Sequence, residues 1–593
     1  MQKILIHALI WSLTQVFPAQ ALKAQVLDGI SPSAMLKLHS DSLRGSIGPA
    51  RAWWNATFYD VTVKPDLSAR SIQGTTIIAF VAVAKGQRMQ LDLQQPLVVD
   101  SITYEVQAYR NGALAIEDRP VPFTHEENVV WVDLPLALSA GEANTLRVHY
   151  HGKPRAAKNP PWDGGWIWKT DKRGNPWVSV ACQGLGASVW YPCKDHQSDE
   201  PDNGAALHIT VPDSLVAVGN GRLRSTVKNG DGTSTWNWAV SSPINTYNLI
   251  PYIGKYAHFN EVYAGVSGPL DCDYWVLEQD LDKAKQQFQQ VKPMLACFEQ
   301  WMGPFPWYED GYKLVGAPHL GMEHQSAVAY GNGFVNGYLG MDLSGSGWGK
   351  KWDYIIIHES GHEWFGNSIS TADIADMWVH EGFTMYSEVL YTECQSGKDA
   401  AEEYLVGVRN NISNDRPLIG PYGVNQEGSG DMYTKGASVV HMVRQIIGDA
   451  PFKAMLLEMQ RKYRHKVVTS AEIEAFICQF TDRPLQKFFD QYLRTTQIPT
   501  LEWGMRKGTL WMRWTNCVDG FMMPITFTTR GTIYRAVVGT QWRKNCGKEG
   551  NGNNIEFDRN WYITTSHVKL SGSALPKDAE CLYRSSIEPI QGE

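Results

Sequence analysis

The sequence predicts a multidomain α+β protein. Three observations carry this: the length, period-two alternation of apolar and polar residues in two separate regions, and a long stretch of helical spacing between them. At 593 residues the chain exceeds what one hydrophobic core organises, so several packed units are expected. Hydrophobic residues make up 43% and charged residues 19%, enough apolar material for real cores and too little charge for extended disorder. A formal net charge of -7, with no Lys/Arg cluster along one helical face, gives no footprint for a phosphate backbone. Nucleic acid is therefore excluded as an expected partner.

The elements follow in chain order. Met1-Gln2-Lys3 precedes an apolar run from Ile4 to Phe17, too short to span a bilayer comfortably, and Ala19-Gln20-Ala21 supplies the small residues a signal peptidase needs, with Ala24 as a second site. Residues 1–24 read as a cleaved secretory leader, which makes the expected location secreted or periplasmic, with no stable membrane span after leader removal. From 53 to 263, short alternating runs such as Leu207 to Val211, punctuated by Asn111-Gly112, Asn220-Gly221 and Asn229-Gly230, predict an antiparallel β-rich N-terminal domain. Between 264 and 497 the period changes. Leu281, Ala284, Phe288, Val291, Leu295 and Phe298 fall on a three-four spacing, a helix in which Pro293 is expected to introduce a kink. Helical patterns continue over 351–365, 376–394, 435–447, 451–463, 470–480 and 485–494, so this domain is mostly helical. Alternation returns at Leu510 to Trp514 and Met523 to Thr529, so 498–593 reads as a small C-terminal β module.

Nine cysteines lie beyond the leader, an odd number, so at least one cannot pair within the chain. No Cys-x-x-Cys occurs. Cys517 and Cys546, both in the terminal module, are the first pair expected to bridge.

Chemistry concentrates in Ile355-Ile356-Ile357-His358-Glu359-Ser360-Gly361-His362-Glu363-Trp364-Phe365. Residues four apart on a helix share a face, so His358 and His362 offer two imidazoles to one tetrahedral zinc ion. Glu359 projects from the next position, within reach of a metal-bound water, and is the candidate general base. A third ligand is required. Glu381, nineteen residues after His362 at the start of another helical pattern, supplies the carboxylate that an antiparallel helix would bring back over the histidines. His380, its neighbour, cannot aim at the same ion and reads as a support behind the ligands or as structural. Two imidazoles and a carboxylate among Ile355, Ile356, Ile357, Trp364 and Phe365 would be costly to bury without a shared partner.

His358-Glu359-x-x-His362, then Glu381 after eighteen residues, with Trp364-Phe365-Gly366-Asn367 alongside, resembles the M1 family of zinc aminopeptidases. The resemblance covers about residues 53–502 and implies a β-rich amino-terminal domain, a thermolysin-like catalytic domain and variable carboxy-terminal modules. Leu320-Gly321-Met322-Glu323-His324 resembles the family's Gly-x-Met-Glu-Asn exopeptidase motif, departing from it at Leu320 and His324. The resemblance makes Glu323 the holder of the substrate's amino group, with Gly321 and Met322 in the same substrate-binding stretch. Cys182-Gln183-Gly184 is similar to a second such motif, which makes Gln183 another amine contact. Tyr433, in Tyr433-Thr434-Lys435-Gly436, corresponds to the oxyanion-stabilising tyrosine, and Lys313 to Ala317 to the strand that lies alongside peptide substrates.

The expected activity is hydrolysis of the N-terminal peptide bond of peptides with a free N-terminus, with one catalytic Zn2+. Two alternatives keep the same metal: a zinc endopeptidase, and an epoxide hydrolase with peptidase side activity. Glu323 opposes endopeptidase action, because its carboxylate would then face an uncharged peptide group. A non-catalytic binding protein would not need the intact Glu359.

Overall fold

The alternation from Trp54 onward builds an eight-stranded sheet in the order Arg222–Lys228, Thr233–Val240, Ala205–Pro212, Trp54–Asp66, Ser71–Ala82, Ala143–Gly152, Val98–Arg110, Ala113–Pro120. Val61 and Val63 are fully buried while Lys64 is exposed, as a half-buried strand requires. This computed structural model describes residues 39–110, 113–546, 554–570, 575–576 and 579–582, of which Ser40 onward belongs to one compact unit. The expected leader and the Asn111-Gly112 turn lie outside the described residues. A four-stranded sheet follows, in the order Val216–Val218, Tyr252–Gly254, Pro176–Ala181, Gly165–Thr170. The strand Pro176–Ala181 ends immediately before Cys182-Gln183-Gly184 and so fixes where Gln183 emerges.

The third sheet belongs to the helical region and runs in the order Tyr256–Gly265, Gly268–Leu277, Tyr312–Gly316, Val328–Tyr330, Gly321–Met322. It corrects one expectation. The strand Tyr312–Gly316 is paired on both sides and every residue in it is buried, so the stretch from Lys313 to Ala317 has no free backbone edge for a substrate. The edge strand next to the site is Gly321–Met322, which leads directly into Glu323. Apolar periodicity detects a strand but not whether its neighbours cover both edges.

Helices then take over: Leu281–Gln287, Val291–Met302, Tyr354–Gly361, Trp378–Ser396, Lys398–Val408, Thr434–Ile447, Asp449–Tyr463, Ser470–Thr481 and Gln486–Arg494. The break expected at Pro293 falls earlier. A tight turn at Phe288–Gln290 separates the first two helices, and Pro293 sits in the first turn of the second, where its missing N–H costs nothing. The helix Lys398–Val408 was not anticipated, although Ala400, Ala401, Tyr404, Leu405 and Val408 carry its buried face at three-four spacing. The last region forms a four-stranded and a three-stranded sheet, a small β module.

Two disulfides correct the expected Cys517–Cys546 bridge: Cys297 pairs with Cys394 and Cys546 with Cys581. Backbone hydrogen bonds from Lys544 to Glu580 and from Leu582 to Lys544 align the second pair, with Cα atoms 5.5 Å apart. Cys517 stays a free thiol in the turn after Thr509–Thr515, next to Val518, whose N–H donates to Gln491. Among the described residues no helix is long and apolar enough to cross a membrane.

Candidate active site

Asp353 starts the short helix that carries the histidines, its carboxylate accepting from the N–H groups of Ile355 and Ile356 at 3.1 and 3.3 Å. Tyr330, Asn332 and Gln287 donate to the same carboxylate, so the cap is itself fixed to the sheet and to the helix Leu281–Gln287. Beyond His362 the chain buries Trp364 and Phe365. Phe365 stacks on Phe383 at 4.5 Å, which ties the end of this helix to Trp378–Ser396. Full burial of side chains of this kind contributes roughly 1.5–3 kcal/mol each, so the relative placement of the two helices is well determined.

That placement brings three ligand atoms together. His358 Nε2 and His362 Nε2 lie 3.3 Å apart, and Glu381 Oε2 is 3.4 Å from the first and 3.3 Å from the second. The opposite nitrogens have committed acceptors: His358 Nδ1–H donates to Glu388 at 2.6 Å and His362 Nδ1–H to the Phe365 carbonyl at 3.0 Å. In their neutral, metal-binding form both imidazoles therefore present Nε2 lone pairs, and the buried Glu381 Oε2 faces nothing but these two nitrogens. Three lone pairs facing one another repel unless a cation sits among them. Ligands about 2.0–2.1 Å from a tetrahedral zinc are roughly 3.3–3.4 Å from each other, so this triangle has the size a zinc ion demands.

Sequence reading did not find the support behind the ligands. Glu388, two helical turns after Glu381, is fully buried, accepts from His358 and also takes the Tyr404 hydroxyl from the neighbouring helix. Thr384 Oγ1 lies 3.1 Å from His362 Nδ1 and donates to the Phe365 carbonyl. Such partners fix the imidazole tautomer and raise ligand basicity. Glu388→Gln is expected to weaken zinc binding about 10- to 100-fold, measured by competition with a chromogenic chelator. Unchanged affinity would show that Glu388 only fills space.

Glu359 is 8% exposed and faces the edge strand so closely that a Cβ on Gly321 would lie 2.7 Å from its carboxylate. A larger residue there would have to displace the ends of the Glu359 and Ile355 side chains. Burial first, and the Glu323 and Glu381 charges with it, push the Glu359 carboxyl up to about 7 against the pull of His358 and His362. Glu323, 3% exposed, lies beyond that strand, and ligand atoms of Glu323, Glu359 and His362 all fall within 4.8 Å of one another. Gln183 donates to Glu323 Oε1, and so does Tyr247, a residue no motif singled out, at 2.9 Å. Met322 packs its side chain into the N-terminal core, and Gly321 lies against Glu359. His324 is fully buried, with Nδ1 2.5 Å from the Tyr252 hydroxyl. Burial pushes its pKa far below the ordinary value, so it is neutral and places no cation next to Glu323. His380 accepts from the Thr371 N–H at 2.9 Å and stays off the metal cluster.

Tyr433 reaches the site because two helices cross with almost no separation. A Cβ on Gly436 would lie 2.9 Å from the Gly382 Cα, and the next residue back from Gly382 is Glu381. The Tyr433 ring lies over His358, centroids 5.8 Å apart. Burial raises its pKa well above the usual phenol value, so its hydroxyl keeps its proton.

Comparison with known proteins agrees with this geometry. Residues 55–248 match the peptidase M1 N-terminal domain and residues 288–492 the peptidase family M1 domain. Human aminopeptidase B is 23% identical over 517 residues, covering 81% of this chain and 72% of that protein. Mouse aminopeptidase B is 24% identical over 517 residues, with 80% and 72% covered. The fold is similar to that of an M1 zinc metallopeptidase from Deinococcus radiodurans, with a TM-score of 0.62 at 21% identity over 75% of this chain and 95% of that one. A mutant of that enzyme bound to a Tyr-Ser-Ala substrate gives a TM-score of 0.61 at 20% identity, covering 76% and 97%. With both of the family's domains matched in order along the chain and its metal triad assembled between two helices, this protein belongs to peptidase family M1.

Proposed function

We propose that the protein is a zinc-dependent aminopeptidase that hydrolyses the N-terminal peptide bond of peptides with a free N-terminus. The observation that carries this is the buried Glu323 carboxylate beside Glu359 and the metal triad, fixed by Gln183 and Tyr247. A carboxylate held there has one evident use, to bind a cationic amine one residue from the reacting bond.

His358, His362 and Glu381 hold the ion, which when bound supplies Lewis-acid chemistry, acidifying a water and polarising a carbonyl. Glu359 takes the proton of the attacking water and later returns it to the leaving amine. The Tyr433 hydroxyl donates to the oxygen on which negative charge develops. Glu323 and Gln183 hold the substrate's ammonium group and set the register of cleavage. An endopeptidase would leave the Glu323 carboxylate facing an uncharged peptide, a desolvated charge without a partner.

The test compares kcat/KM for matched free and amino-acetylated arylamides. The wild type is expected to favour the free amine strongly. Glu323→Ala should raise KM, lower kcat and narrow that preference about 10- to 100-fold, in keeping with 1.5–3 kcal/mol for a charge-assisted bond, while zinc content stays at one ion per chain. An unchanged preference would remove Glu323 from amine recognition. Secretion or periplasmic export belongs to the same proposal; the leader-like residues 1–24 and the two disulfides support it.

A further inference from the structure

The amine anchor is held at both ends by one short turn that lies far from it in the chain. Residues Thr246–Asn248 form a single tight turn between two strands of the N-terminal region, with Tyr247 only 4% exposed and Asn248 fully buried. From its middle residue the turn reaches the Glu323 side chain, since the Tyr247 hydroxyl donates to Oε1 at 2.9 Å. From its last residue it reaches the Glu323 backbone: Asn248 donates to Asn367 at 2.8 Å, and Asn367 donates to the Glu323 carbonyl at 2.8 Å.

The turn itself is pinned. Asn245 caps it, accepting from the Tyr247 N–H and donating to the Gln197 carbonyl at 2.7 Å. The Tyr191 hydroxyl donates to the Thr246 carbonyl at 2.8 Å, and the Cys182 thiol lies 3.4 Å from the Tyr247 carbonyl. Because Gln183 follows Cys182, the turn and the second amine contact are tied to each other as well. Glu363 completes the frame by accepting from Asn367 at 3.1 Å and from the Ser326 N–H at 2.9 Å.

We infer that Tyr247 is a positioning residue for substrate recognition: by fixing one oxygen of Glu323, together with Gln183, it holds the other oxygen in the direction from which a substrate ammonium group is read. This rests on the aminopeptidase reading above. A carboxylate with one oxygen occupied by two donors cannot turn freely, so the amine meets a preformed acceptor, and less ordering cost is left for the binding step. Tyr247 does not touch the reacting atoms. Its loss should therefore act on amine binding, with little effect on chemistry.

The experiment uses the zinc-loaded full chain and Tyr247→Phe, which deletes one oxygen and keeps the ring. KM for a free-amine arylamide and Ki for the corresponding free amino acid are expected to rise about tenfold, the usual size of one lost bond to a charged group, with kcat changing less than about threefold. The acetylated arylamide should be unaffected within about twofold. In the Glu323→Ala background Tyr247→Phe should add no further effect, because its partner is gone. Asn248→Ala, which loosens the other tether, should show the same selectivity at about threefold. Equal losses on free and acetylated substrates, or an undiminished loss in the Glu323→Ala background, would make Tyr247 a merely structural residue and overturn the proposal. A wild type that does not distinguish free from acetylated substrates would overturn the aminopeptidase reading as well, so the two failures are told apart by the wild-type ratio alone.

Discussion

Glu359→Gln is expected to lower kcat by roughly 10³- to 10⁴-fold while leaving one zinc ion bound per chain. Glutamine has the shape of glutamate and fits the narrow space beside Gly321, but it cannot take a proton from water. His358, His362 and Glu381, with Glu388 behind them, are untouched by the change. At 1.36 kcal/mol per decade the loss corresponds to about 4–5.5 kcal/mol of transition-state stabilisation. Turnover and metal content measured on the same preparation decide the matter. Loss of zinc would make Glu359 a ligand, and near-normal turnover would place the base elsewhere.

The second large effect is expected at Tyr433. Tyr433→Phe keeps the ring over His358 and removes only a hydroxyl whose burial leaves it protonated at any working pH. That hydroxyl meets full negative charge only near the transition state, so kcat should fall about 10²- to 10³-fold, or roughly 2.7–4 kcal/mol, with KM nearly unchanged. Steady-state kinetics on a free-amine arylamide give both constants. A rise in KM with kcat intact would mean that Tyr433 binds substrate and leaves the oxyanion to another donor.

These positions differ in how far the sequence discloses them. The imidazole pair of His358 and His362 is local geometry, legible from a spacing of four in a helical run, and Glu381 follows from the distance an antiparallel helix needs. Glu388 was legible in principle as a position on the Glu381 face, two turns on, but its meaning depends on a histidine 30 residues away. Tyr247 lies 76 residues before Glu323, and no periodicity connects them. The β-rich start, helical middle and small β ending follow from residue period alone, whereas the misplaced substrate strand and the Cys517 bridge failed for a shared reason. Both depend on which segments become neighbours in space, and one-dimensional patterns carry that information weakly. Pro293 failed differently: proline breaks a helix interior but is at home in a first turn, so the break moved to Phe288–Gln290.

The turn Thr246–Asn248 and Gln183 stand outside the helices that carry the metal ligands. On the reading proposed above, cutting and measuring are assigned to different stretches of polypeptide. Substitutions in the β-rich part are then expected to blur where a peptide is cut, or which end is accepted, without dulling the cut itself. Drift in preference and retention of chemical power are separable in this architecture, and a lineage of such chains could change its diet of peptides while its metal cluster stayed constant.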